Sequence, residues 1–264
     1  EYKNLELGGC YHQAPMSYPA LLSWCEKKAE QFAPYITDTG NYIAAALSNH
    51  QKVVLEAQLG AMRDIDYGIF PYTSSSSTIS AYGPIGAGIP GTLPDHIVGV
   101  LKAYSTCVGA GPFTAEKAMP EKWMESLRKS GGEYGAATGR PRRVGPFDAV
   151  ASAYGLKCQN ADKIALTKLD VLSRMDEIPV ITAYKLNDEL ITEFDPLDDL
   201  DSMTPVIQTL PGWNTDISKC RKYEELPENA RKYIETLEHL LNHEIQFISV
   251  GAERNQYLTK GEWL

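Results

Sequence analysis

Ile164-Ala165-Leu166-Thr167-Lys168-Leu169-Asp170 joins an apolar run to threonine, lysine and aspartate. A short run of that kind predicts a buried strand, and its polar tail falls where the strand ends. Open α/β sheets bind ligands outside the carboxyl ends of parallel strands. A carboxylate in that place can accept from the ring N–H and the exocyclic amine of guanine while a lysine stem lies across the base. Adenine lacks that donor pair. The motif alone is weak, and its plain reading is a salt-bridged strand end.

Outward from this stretch, strands alternate with helices. Upstream, Leu21, Leu22, Cys25, Ala29 and Phe32 recur at three and four, predicting an amphipathic helix over Pro19–Phe32 stopped by Pro34. Asp38 or Thr39 can cap a second helix through Tyr42–Leu47. Lys52–Glu56 reads as a buried strand, Ile97–Tyr104 as a helix or strand, and Trp123–Arg128 as a helix ended by Gly131-Gly132. A helix follows from about Phe147 to Lys157. Downstream, Pro179–Leu186 and Glu189–Glu193 form a hairpin about Asn187-Asp188. Asp195–Asp201 is a solvated acidic loop. Leu226–Leu241 is an amphipathic helix, and Glu244–Ile248 a last strand ending in Ser249-Val250-Gly251, whose backbone could touch a base. The alternation predicts one α/β domain over 1–264, with a largely parallel sheet flanked by helices.

The totals narrow the function classes. Twenty-five Lys and Arg against 34 Asp and Glu give a net charge of −9, which argues against general nucleic-acid binding. No apolar run approaches the length of a membrane span, and no signal-peptide pattern opens the chain. Five scattered cysteines without a C-x-x-C pair favour reduced thiols in a cytoplasmic protein. His239 and His243 lie four apart on a predicted helix without a third ligand nearby, which favours a solvated face over a metal site. No G-x-x-x-x-G-K-[ST] phosphate loop occurs.

Two loops carry chemistry. Gly135–Gly145 (GAATGRPRRVG) sets Arg140, Arg142, Arg143 and the Thr138 hydroxyl among glycines. Arginine presents a planar fork to carboxylate or phosphate, and three cations so close repel unless an anion sits among them. A solvated basic loop is the plain reading. Glu56–Ser77 interleaves polar groups with glycines and aromatics, as ligand loops after strands do.

In order and spacing, six motifs resemble the adenylosuccinate synthetase family. Glu56–Ser75 resembles its E-G-A-Q-G segment followed by D-I-D-x-G-T-Y-P-Y-V-T-S-S. Lys102–Phe113 resembles K-A-Y-[ST]-T-R-V-G-x-G-P-F, and Gly135–Gly145 resembles G-A-T-T-G-R-x-R-R-x-G. Thr167–Val171 is similar to T-K-L-D-V, Pro211-Gly212-Trp213 to P-G-W, and Ser249–Arg254 to S-x-G-x-x-R. The resemblance implies a P-loop-NTPase-like fold and a homodimer. It also implies a ligase of purine nucleotide biosynthesis that joins IMP to L-aspartate with GTP and Mg2+. GTP first phosphorylates the 6-oxygen of IMP, and the aspartate amine then displaces that phosphate.

Carried over, Ala136, Ala137, Thr138, Gly139, Arg140, Pro141 and Arg142 form the aspartate loop. Leu59, Thr73, Val108 and Arg140 face IMP. Arg142, Lys168, Leu169, Asp170, Ser249, Val250 and Gly251 face GTP. The family's amino-terminal part, with the phosphate loop, catalytic base, acid histidine and Mg2+ ligands, has no counterpart here, so those ligands are expected outside this chain. Leu59 stands in place of a glutamine, Ala137 of a threonine and Cys107 of an arginine. They leave open a diverged or inactive purine-nucleotide-binding homologue, and the missing part leaves open half of a split enzyme.

Overall fold

Side-chain caps start the first long helices. The computed structural model describes residues 1–261 and Trp263, and begins with α1 (Tyr2–Gly9), α2 (Tyr18–Phe32) and α3 (Thr39–Ser48). The Ser17 hydroxyl accepts the Ala20 N–H at 3.4 Å, and Asp38 Oδ1 the Asn41 N–H at 3.0 Å, satisfying donors that a helix start leaves orphaned. Pro34 sits inside a further 3-10 turn, Ala33–Tyr35, instead of ending the helical path before it. The chain divides into two compact units, Glu1–Val54 with Ala87–Pro90 and Leu55–Gly86 with Gly91–Leu264. In the first unit the helices bury no residue, and the apolar stripe of Leu21, Leu22 and Phe32 stands exposed.

The strand expected at Lys52–Glu56 does not form. Among the described residues no strand lies beside it, and Val54 is 89% exposed. β-branched residues stabilise a strand where neighbours pair with it and pack against it, and they do little without them.

In the second unit, a single helical turn, α4 (Tyr82–Gly86), interrupts the glycine-rich stretch. Then come β1 (Val98–Lys102), β2 (Ser105–Cys107), α5 (Glu121–Gly131), β3 (Arg143–Gly145), β4 (Phe147–Asp148), α6 (Ala149–Gln159) and β5 (Lys163–Thr167). They are followed by β6 (Glu177–Leu186), β7 (Glu189–Ile191), β8 (Thr204–Pro211), α7 (Glu228–Leu241), β9 (Phe247–Ser249) and β10 (Tyr257–Thr259). The α/β expectation holds. One sheet runs β1-β5-β9-β10, parallel through its first three strands with an antiparallel edge. Lys102 pairs with Thr167 and Leu166 with Ile248, so the carboxyl ends of β1, β5 and β9 lie in line. A second, mixed sheet sets β4 parallel to β6, with β7 and β8 antiparallel to β6. The β6–β7 turn has Asn187 and Asp188 both at positive φ, the backbone of a tight hairpin.

Sequence reasoning passed over β8. Its T-P-V-I-Q-T-L-P carries a β-branched run between two prolines, the signature of an edge strand. The main core joins Ile164, Leu166 and Ile248 of the parallel strands to Tyr233, Ile234 and Leu237 of α7 and Leu127 of α5. Burial on both faces explains why β5 is an uninterrupted apolar run.

Asp148 caps α6 through the Ala151 N–H at 3.0 Å and takes a 2.7 Å hydrogen bond from the Tyr184 hydroxyl. Burial pushes its carboxyl up to about 6. Because that lies above its ordinary 3.8, the folded state holds the proton more tightly. The contribution is fully present below about pH 4 and is lost as pH rises through about 6, about 3 kcal/mol in all. Asp148→Asn is expected to remove this slope from urea midpoints measured at pH 4 and pH 7. A slope equal to wild type would refute it.

Candidate functional site

The ends of the parallel strands bring separate motifs together. Lys168 follows β5 in a left-handed turn with φ 61, and its stem reaches the carboxyl end of α5. Its Nζ donates to Gly131 O at 2.6 Å and Glu133 Oε1 at 3.0 Å. Leu169 is fully buried, so it offers no surface to a ligand, unlike what the resemblance implies. Asp170 is half-buried, and burial raises its carboxyl while Lys168 opposes that shift. At the neighbouring end of β9, Val250 is buried and Ser249 Oγ donates to Gly251 O at 3.0 Å. Gly251 lies so close to the Gln256 amide that a Cβ there would collide with it.

The arginine loop is a closed turn on a fixed base. Tyr134 bridges Pro141, Gly135 N donates to Arg140 O at 2.9 Å, and Arg142 N donates to Glu133 O at 2.9 Å. Ala136, Ala137, Thr138, Gly139, Arg140 and Pro141 form its exposed tip. The Thr138 hydroxyl accepts the Arg140 N–H at 3.4 Å, so part of its bonding capacity serves the turn itself.

The three arginines have three different surroundings. Arg140 is exposed at the tip. Arg142 Nη1 donates to Glu133 Oε2 at 2.9 Å. Arg143 Nε donates to Glu116 at 2.6 Å and its Nη1 to Gly111 O at 2.7 Å, over the Phe113 ring. Two of the three cations expected to need an outside anion therefore have one within the chain, and Arg143 holds the 109–113 loop. Sequence reasoning missed both carboxylates because they lie outside the loop's own motif.

Glu133 is the larger omission. Fully buried, it also receives Lys102 Nζ at 2.9 Å and the Tyr104 hydroxyl at 2.7 Å. Burial by itself would raise its carboxyl, but hydrogen bonds from Lys102, Tyr104 and Lys168 outweigh it and hold the group at about 2. Lys102 and Tyr104 were legible as members of the K-A-Y motif, though not as partners of this glutamate.

A second buried carboxylate, Asp64, shapes the 60–78 loop. It accepts the N–H groups of Asp66, Tyr67 and Thr78 at 2.9, 3.0 and 2.6 Å. Burial acts to raise its pKa, and these bonds turn the net shift downward. Next to it, Arg63 donates to Tyr72 O, Ala110 O, Val108 O and Cys107 Sγ. Gly111 (φ 104) fits closely, since a Cβ there would lie 2.5 Å from Tyr72 Cγ. Thr73 is half-buried and Val108 exposed on this surface. Leu59 is exposed with φ 70. It lies on irregular chain, outside any helix or strand.

The family model for adenylosuccinate synthetase matches residues 1–258. The chain belongs to the adenylosuccinate synthetase family. An adenylosuccinate synthetase from Carboxydothermus hydrogenoformans is 41% identical over 255 residues, covering 96% of this chain and 59% of the relative. One from Staphylococcus saprophyticus is 36% identical over 265 residues, covering all of this chain and 62% of the relative. The structure of fully ligated adenylosuccinate synthetase from Plasmodium falciparum superposes with a TM-score of 0.87 at 34% identity, covering 98% of this chain and 62% of that one. The chain thus spans about three fifths of the length of the relatives it matches.

Among the described residues no group of three or more His, Cys, Asp or Glu side chains is placed to hold a metal ion. All five cysteines are free, and no described helix is long and apolar enough to cross a membrane.

Proposed function

We propose that this chain supplies the guanine-recognition elements and the aspartate loop of a GTP-dependent ligase joining IMP to L-aspartate. The observation that supports it most is a juxtaposition. Lys168–Asp170 and Ser249–Gly251 stand at neighbouring carboxyl ends of β5 and β9, and Glu133 links Lys168 to Arg142 at the base of the loop.

In this reading Asp170 accepts from the guanine N–H and amine, the Lys168 stem lies along the base, and Ser249 and Gly251 line its edge on either side of the buried Val250. Arg140, with Thr138 and the backbone of Ala136, Ala137, Gly139 and Pro141, grips the carboxylates of aspartate as a planar fork can. Arg142 stands between that substrate and the GTP phosphates. Thr73, Val108 and Leu59 face IMP with Arg140. Mg2+ takes its ligands outside this chain, as do the proton transfers, and the assembled enzyme is a cytoplasmic homodimer.

Titration calorimetry of the chain with GDP, ADP, IMP and aspartate, each alone, tests the assignment. GDP is expected to bind at least about 100-fold more tightly than ADP, because a site built to accept the guanine donors leaves adenine with an unpaired carboxylate. Equal affinities would sink the guanine reading. The chain alone is expected to show no turnover, and formation of adenylosuccinate by these 264 residues would overturn that expectation. Leu59, Ala137 and Cys107 favour a second reading, a diverged purine-nucleotide binder. It gains if GDP binds while IMP does not.

A further inference from the structure

Four donors converge on the buried carboxylate of Glu133 from three parts of the chain. Oε1 receives Lys102 Nζ from the end of β1, the Tyr104 hydroxyl just beyond it, and Lys168 Nζ from the end of β5. Oε2 receives Arg142 from the base of the arginine loop. The main chain of Glu133 is fixed as well. Its N–H donates to Arg128 O at the end of α5, and its carbonyl accepts the Arg142 N–H, each at 2.9 Å.

The side chains of Lys168 and Arg142 are 36% and 35% exposed, whereas that of Glu133 is wholly covered. Each cation is therefore held from behind and open in front. Even with the neighbouring Asp170 counted beside Glu133, three positive charges face two negative ones, and a ligand approaching the open side meets that surplus. A lysine at the end of a strand and an arginine on a loop have many rotamers, and ordering each against the same buried acceptor removes that freedom before a ligand arrives.

We propose that Glu133 is a positioning residue shared by the two halves of the site, holding Lys168 and Arg142 in register through one carboxylate. The inference deepens the function proposed above, since it takes from there which ligands the two cations serve. It adds that the guanine side and the loop side are mechanically joined. Loosening one loosens the other, and by reciprocity a ligand that orders one favours the other.

Hydrogen–deuterium exchange on the whole chain tests the link without any ligand. Glu133→Gln keeps the shape and removes the charge. It is expected to speed exchange about tenfold both in 135–142, where the Gly135, Gly139 and Arg142 amides are bonded, and around Ala103 and Val171, with β6 and β8 unchanged. Acceleration in one region only, or throughout the chain alike, overturns the proposal.

Lys168→Met leaves the buried carboxylate paired with Lys102 and Arg142, so it remains informative if Glu133→Gln does not fold. It is expected to speed exchange in 135–142, and unchanged protection there overturns the link. Calorimetry with GDP and with aspartate then separates the two ideas. If wild type binds neither while both exchange results hold, the proposed ligands are wrong and the positioning role stands. If wild type binds both, Glu133→Gln is expected to weaken each about tenfold, and loss of only one counts against the shared role.

Discussion

Asp170→Asn is expected to weaken binding of GDP about 100- to 1,000-fold. Two hydrogen bonds to a charged acceptor are at stake, each contributing about 1.5–3 kcal/mol. The amide turns one acceptor into a donor that points at the guanine amine, so the loss includes a mispaired contact. Asp170 suits this role because burial already strains its charged form, and besides its own N–H only the Lys168 charge is near enough to offset that. The same change should improve binding of xanthosine diphosphate, whose second carbonyl can accept from the new amide. Calorimetry with GDP and xanthosine diphosphate on both proteins reads both effects. An unchanged GDP affinity in the variant would remove Asp170 from the site.

The second large effect lies under the site. Leu166→Ala empties a fully buried position in β5, the strand flanked by β1 and β9 on its two edges. The loss expected is about 2–5 kcal/mol, transfer energy plus the cavity left in a core that cannot fully collapse. Urea unfolding followed by tryptophan fluorescence, to which Trp213 in the same core cluster contributes, should show a lower midpoint with an unchanged slope. Because Thr167 and Lys168 continue directly from this strand, GDP binding should weaken as the sheet loosens. A shift below about 1 kcal/mol would show that the site rests on something other than this core.

Legibility in the sequence followed how local each feature is. The apolar run into Thr167–Asp170 and the close of β9 at Ser249–Gly251 were readable because a buried strand and its polar exit occupy consecutive residues. The Ser17 and Asp38 caps act within three residues of themselves, and Asp38 was named. The hairpin at Asn187-Asp188 was readable from two residues that tolerate positive φ. Lys52–Glu56 failed for the opposite reason, since its propensity needed a partner strand that the described residues do not supply. Thr204–Pro211 was missed because its prolines hide an edge strand that only pairing with β6 reveals.

By itself, then, the sequence determined the order of motifs, the alternation of strands and helices and the chemical types at each strand end, all properties of neighbouring residues. Tertiary structure decided which charges meet. Lys102 and Lys168 lie 31 and 35 residues from Glu133, and Arg143 lies 27 from Glu116. No local pattern ties such residues together, because their distance is set by the register of β1 with β5 and by where α5 ends. A loop that read as three cations wanting an anion is thereby resolved into one exposed arginine, one held against a buried carboxylate shared with Lys168, and one that braces the neighbouring 109–113 loop.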